Sequence, residues 1–185
     1  MLEEIIEDTK SGMEKSIRAL ENTFKSIRTG RANPALLDSI KVDYYGTLTP
    51  LSQLANITIE DATTLTILAF EANLVPEIEK AIYDSNIGVN PTTSGEKIRI
   101  ILPKLTEETR KDFIKKAKSE SENSKVSIRN IRRDGNSQLK EFLKEKEINE
   151  DDEKRGQEEI QILTDIFVRY VDEALMRKEK DLLDF

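Results

Sequence analysis

The sequence predicts an α+β protein: an elongated three-helix bundle into which a small β/α/β domain is inserted. Three observations carry this. Residues 106–146 contain no Pro and a single Gly, and their apolar or small residues recur at alternating steps of three and four, as on one face of a helix packed against others. Two more stretches of the same kind lie at either end, 2–28 and 149–182. All five prolines fall between Pro34 and Pro103, among short β-branched runs.

In chain order, Leu2, Ile6, Thr9, Met13, Ile17, Leu20, Phe24 and Ile27 form the first stripe. Gly12 interrupts it at a cost of about 1 kcal/mol against Ala, and Thr29-Gly30 ends it. Asn33-Pro34 starts a short helical turn to Asp38, with Asn as cap and Pro at the first position. Residues 40–45, 56–59 and 64–70 read as strands. Asn73 is expected to cap a helix with Pro76 in its first turn and Ile78, Ala81 and Ile82 on its apolar face, closed by Asn86 to Gly88. Thr92 to Gly95 read as a turn, and 97–102 as a strand stopped by Pro103.

Thr106 then caps the long helix, whose stripe is Ile114, Ala117, Ser121, Ser124, Ile128, Ile131, Gly135, Leu139 and Phe142. Glu147 to Asn149 break the pattern, and Asn149 caps a last helix with four acids in its first turn, matched to the positive end of its dipole. The stripe there is Ile160, Leu163, Phe167, Tyr170, Val171, Ala174, Leu175 and Leu182. No such stripe buries itself alone, so the three are expected to pack together. One helix precedes the middle piece and two follow it. The expected division is therefore residues 1–29 with 106–185 as the bundle and 30–105 as the insertion, with hinges at 29–31 and 102–106.

Charge is sorted along the chain. The whole carries −7, yet residues 106–146 carry +4 and residues 147–185 carry −7. On a wheel with Ile128 at zero, Lys111, Lys115, Lys118, Lys125, Arg129, Arg132 and Arg133 fall between roughly 40° and 140°, on one flank of the stripe. Asp112, Glu120, Asp134 and Glu141 take the other flank, and Glu122 intrudes among the bases. Arginines in such a row can grip phosphate oxygens without reading sequence, which makes Arg129, Arg132 and Arg133, with Lys125 and Lys118, candidates for contact with RNA. The bland alternative is that these bases pair with acids on the neighbouring helix.

Other chemistry is poorly represented. The chain has no His and no Cys, which removes the common nucleophile pairs, disulfides and the usual zinc sets. No phosphate loop or dinucleotide fingerprint occurs, and Glu150 to Glu153 lack the glycine and alternation of a calcium loop. No apolar run is long enough to span a membrane, and the acidic N-terminus resembles neither a secretory signal nor a transit peptide. No enzyme activity, cofactor or metal is expected, and the cytoplasm is the expected location. A protein-only coiled-coil adaptor is the competing reading of the stripes.

Several segments together are similar to one family. Lys25-Ser26-Ile27-Arg28-Thr29-Gly30-Arg31-Ala32-Asn33-Pro34, leading to Asp43-Tyr44-Tyr45-Gly46-Thr47, resembles the ribosome recycling factor family. So do Val126 to Asp134, Glu147 to Asp152 and the closing Lys178-Glu179-Lys180. The resemblance covers the whole chain. It implies an L-shaped molecule that binds between the subunits of the post-termination bacterial ribosome. The bundle would contact large-subunit ribosomal RNA. Elongation factor G with GTP would act on the small domain, separating the subunits and releasing mRNA and deacylated tRNA. GTP hydrolysis would belong to that partner, and the chain itself would be a monomer. Its RNA-contacting arginines would be Arg110, Arg129 and Arg132, and its hinge Thr29, Gly30, Arg31, Pro103, Lys104, Leu105 and Thr106. The wheel places Arg110 near the core-facing side, so that residue rests on the resemblance alone.

Overall fold

A computed structural model describes residues 1–183 of the chain. Two compact units result: one holds Met1–Phe24 and the chain from Asp112 onward, the other holds Lys25–Lys111. The helices are α1 (Leu2–Ser26), α2 (Val75–Asp84), α3 (Glu107–Lys144) and α4 (Glu150–Leu183). The strands are β1 (Lys41–Tyr44), β2 (Thr47–Pro50), β3 (Ala55–Ile59), β4 (Thr64–Ala69), β5 (Pro91–Ser94) and β6 (Lys97–Ile101).

The first unit is helical. Of the stripe expected for α3, Ala117, Ser121, Ser124, Ile128, Gly135 and Leu139 are buried, and Ile114, Ile131 and Phe142 are half-buried. Both caps form: the Thr106 hydroxyl accepts from the Thr109 amide at 3.1 Å, and the Asn149 side chain accepts from the Asp152 amide at 2.8 Å. Three positions differ from expectation. Ile5 is buried where the expected α1 stripe has Ile6, which is half-buried. Tyr170 is 47% exposed, its ring edge resting on Phe167. The buried face of α4 runs Ile160, Thr164, Phe167, Val171, Ala174, Lys178, Leu182, so Tyr170 lies one residue, about 100°, off its centre. Lys178, which the expected stripe leaves out, takes a core position, and burial pushes its ammonium pKa down, partly offset by Asp181.

The second unit is a two-layer α/β fold. β1 and β2 form an antiparallel hairpin, and the remaining strands form an antiparallel sheet in the order β3-β4-β6-β5. α2 packs against β1, β5 and β6. Between them lies one continuous aliphatic core that includes Val42, Leu65, Ile67, Ile78, Ile82, Ile98 and Ile100. Strand β2 was not anticipated, and Thr92 to Gly95 are not a turn. Residues 91–94 are strand β5, and the reversal is made by Gly95, at φ +64°, with Glu96. Pro91 is tolerated because β5 is an edge strand. Nor does Asn73 cap α2. It lies in a 3-10 turn, Ala72–Leu74, and its amide donates to the Tyr45 hydroxyl at 3.1 Å. Asn33 does cap its turn, Pro34–Leu37.

The segments joining α1 and α3 to this α/β fold carry no regular secondary structure over residues 27–33 and 102–106. They lie beside one another. The Arg28 guanidinium donates to the Pro103 carbonyl, and a side chain added at Gly30, itself at φ +80°, would meet Leu105. Each segment is also tied to one loop: the Ala32 amide donates to the Ala62 carbonyl and the Leu102 amide to the Thr63 carbonyl, both at 2.7 Å.

Candidate nucleic-acid interface

The cationic flank of α3 is built on an antiparallel helical hairpin with α4. The closed end is a Schellman turn: the Glu147 amide bonds the Phe142 carbonyl, the Lys146 amide bonds the Leu143 carbonyl, and Lys146 sits at φ +63°. Away from that turn, bases spaced seven residues apart on α3 each meet a polar residue on α4. Lys118 pairs with Glu179 at 3.3 Å. Lys125 pairs with Asp172 at 2.6 Å, and more loosely with Glu122 of its own helix at 3.6 Å. At Arg132 the guanidinium donates to the Gln161 side-chain oxygen at 3.3 Å, and the Gln161 amide donates to Asp165 at 2.9 Å.

These rungs sort the bases predicted from sequence. Lys125 is only 16% exposed, and its bond to Asp172 raises its pKa against the opposing effect of burial. Lys118 and Lys125 thus follow the bland alternative, pairing with the acidic helix. Arg129 and Arg133 are exposed and, among the described residues, neither guanidinium makes a hydrogen bond or ion pair. Arg132, half-buried between them and α4, is held by a neutral amide. The structure therefore brings Arg129, Arg132 and Arg133 together as a short ridge whose charge is not cancelled by a carboxylate. Arg110 is half-buried near the start of α3, about 28 Å of helix from Arg129, in the other compact unit. It is not part of this ridge. Gln161 and Asp165 were not singled out in the sequence, although the matching intervals 118, 125, 132 and 165, 172, 179 were there to be found.

The ridge stands on a stiff support. Ile128, beside Arg129, is fully buried. The Ser127 and Ser16 hydroxyls bond across α3 and α1 at 3.0 Å. At Gly135 a Cβ would lie 2.6 Å from the Thr9 hydroxyl and 3.1 Å from Ile160, so the glycine permits the close approach of the helices. The described residues contain no cluster of acids suited to a metal ion, and no helix is long and apolar enough to cross a membrane.

A packed helical unit that presents a ridge of uncancelled guanidinium groups, with an α/β unit inserted in the chain between its first and second helices, is a cationic, surface-presenting scaffold. The family-level comparisons make this specific. The model of the ribosome recycling factor family matches residues 20–183. The chain is 56% identical over 184 residues to the ribosome-recycling factor of Marinomonas sp. (strain MWYL1), covering 100% of both chains. It is 54% identical over 183 residues to that of Hahella chejuensis (strain KCTC 2396), covering 99% of each. Among solved structures it is similar to a solution structure of the ribosome recycling factor, with a TM-score of 0.76, 35% identity and coverage of 98% of this chain and 97% of that one. It is also similar to the Thermus thermophilus ribosome recycling factor in a structure that sets it, with Escherichia coli elongation factor G, on the E. coli post-termination complex. There the TM-score is 0.67 and the identity 43%, over 100% of both chains. The chain belongs to the ribosome recycling factor family, a family of translation factors.

Proposed function

We propose that this chain binds the post-termination bacterial ribosome and, together with elongation factor G and GTP, splits it into subunits and frees mRNA and deacylated tRNA. The supporting observation is the ridge of Arg129, Arg132 and Arg133 on the packed helix α3, with Arg132 held by Gln161 and all three left without carboxylate partners. Guanidinium groups so placed suit the phosphates of large-subunit ribosomal RNA. Lys118 and Lys125 contribute by fixing α3 against α4, and Arg110 adds a separate contact nearer the linkers. The chain acts as a monomer and carries out no chemistry of its own; GTP is hydrolysed by the partner. The bending point lies at Thr29 to Arg31 and Pro103 to Thr106, where the backbone leaves regular structure, and the unit from 30 to 105 is the part that the elongation factor pushes.

The test is light scattering of post-termination ribosomes mixed with the protein, elongation factor G and GTP, each omitted in turn. Subunit splitting is expected only in the complete mixture. The double variant Arg129→Glu, Arg132→Glu is expected to lose binding to large subunits while its far-ultraviolet circular dichroism stays unchanged. Normal binding by that variant would move the RNA contact elsewhere on the molecule.

A further inference from the structure

Bases stand at seven-residue intervals on α3, at 118, 125 and 132, and acids stand at the same interval on α4, at 179, 172 and 165, so the antiparallel register offers three candidate rungs. The first two close as direct ion pairs. The third does not. Gln161 stands one turn before Asp165, puts its oxygen against the Arg132 guanidinium, and engages Asp165 with its own amide. We propose that Gln161 is a positioning residue that holds Arg132 in place for ribosomal RNA without neutralising it, with Asp165 fixing which way the amide points.

The physical reason lies in what each partner does to a cation. A carboxylate bonded to a guanidinium satisfies its donors and cancels its field, so a phosphate must first displace it. An amide oxygen satisfies one donor and leaves the net charge standing. The amide of Gln161 has two chemically different ends, and Asp165 accepts only from the nitrogen end. The oxygen is thereby committed to Arg132. Arg132 is then restrained before RNA arrives, which lowers the side-chain entropy lost on binding. Lys125 shows the contrasting arrangement one heptad away: bonded directly to Asp172, it is tied into the support.

The inference rests on Arg132 being an RNA contact, and the experiment separates the two claims. Equilibrium binding to isolated bacterial large ribosomal subunits is measured as a function of salt for the parent, Arg132→Gln, Gln161→Glu, Gln161→Met and the double variant Arg132→Gln, Gln161→Glu. Gln161→Glu is expected to weaken binding about threefold to fivefold, the size of one exposed charge pair. It should also flatten the salt dependence by about one phosphate contact and leave the thermal midpoint unchanged or higher. Gln161→Met is expected to weaken binding less and to keep the salt slope. In the Arg132→Gln background, Gln161→Glu is expected to have no further effect. A purely structural residue would not give that loss of effect, and neither would a new negative charge repelling RNA at large. Parent-like binding by Gln161→Glu alongside weak binding by Arg132→Gln overturns the positioning role and leaves the ridge standing. Parent-like binding by Arg132→Gln overturns both.

Discussion

The two units of this chain are packed in opposite ways. The α/β unit is built around a continuous mass of Ile, Leu and Val, and its buried hydroxyl-bearing residues, Thr64 and Thr66, alternate along β4 with the core residues Leu65 and Ile67. In the bundle the buried positions alternate between large apolar residues, such as Met13, Ile128 and Leu139, and small or hydroxyl-bearing ones, Thr9, Ser121, Ser124, Gly135, Gly156 and Thr164. The first kind of core draws its stability from the area it removes from water. The second draws more on fit, because small residues let helices approach closely. The second kind fixes the spacing and register of the helices that carry the arginine ridge.

The largest effect expected from this difference is at Ile98. Ile98→Ala should cost about 2–5 kcal/mol, because the side chain is fully buried in the sheet and the cavity cannot collapse. Three of the four tyrosines, Tyr44, Tyr45 and Tyr83, lie in the α/β unit. Their near-ultraviolet signal should melt early while the helical signal persists. Simultaneous loss of both signals would mean that the two cores stabilise one another. Next comes Gly135→Ala. The new methyl meets a Thr9 hydroxyl already anchored to the Ile5 carbonyl at 2.7 Å, so neither side yields. A destabilisation of about 1–3 kcal/mol is expected in denaturant unfolding of the helices, despite the better helix propensity of Ala. Gly12→Ala sharpens the contrast. There the methyl meets the half-buried Ile131 side chain at 3.3 Å, which can shift, so the propensity gain of about 1 kcal/mol should leave stability unchanged or slightly raised.

The smallest effect concerns acid. The Thr66 hydroxyl, and after it Arg99, hold the Glu60 carboxyl below its ordinary pKa, and the Thr63 amide does the same for Asp61. Folded-state values below the unfolded ones give stabilisation that is present above the ordinary carboxylate range. It is lost as pH falls through the folded values. The tyrosine-monitored midpoint of the α/β unit should therefore decline below about pH 4, and Glu60→Gln should shallow that decline. An unchanged acid limb in the variant would remove Glu60 as a contributor.

The long helices, their caps and the insertion between them were legible because a stripe at steps of three and four is a repeated, local signal. Arg129, Arg132 and Arg133 were legible as a flank for the same reason. What escaped depended on partners distant in sequence. Tyr170 read as core until the true centre of α4 was known, and Asn73 read as a cap until the hairpin placed the Tyr45 hydroxyl beside it. Strands β2 and β5 are four residues each, and both include a proline, too little pattern to stand alone. Lys118 and Lys125 looked the same as their arginine neighbours in a one-helix projection. Only the register of α4 separates those tied to Glu179 and Asp172 from those left open.

That register has a single origin. The turn at Glu145 to Asn149 feeds α4 back along α3, and every rung inherits its alignment from there. One residue inserted into the first turn of α4, beside that connection, would rotate the rest of the helix by about 100° and slide it by about 1.5 Å relative to the connection, unmatching all the rungs at once rather than loosening them one by one. Five residues outside the arginine ridge thus act as an alignment pin, and length changes beside them should be tolerated far less than substitutions.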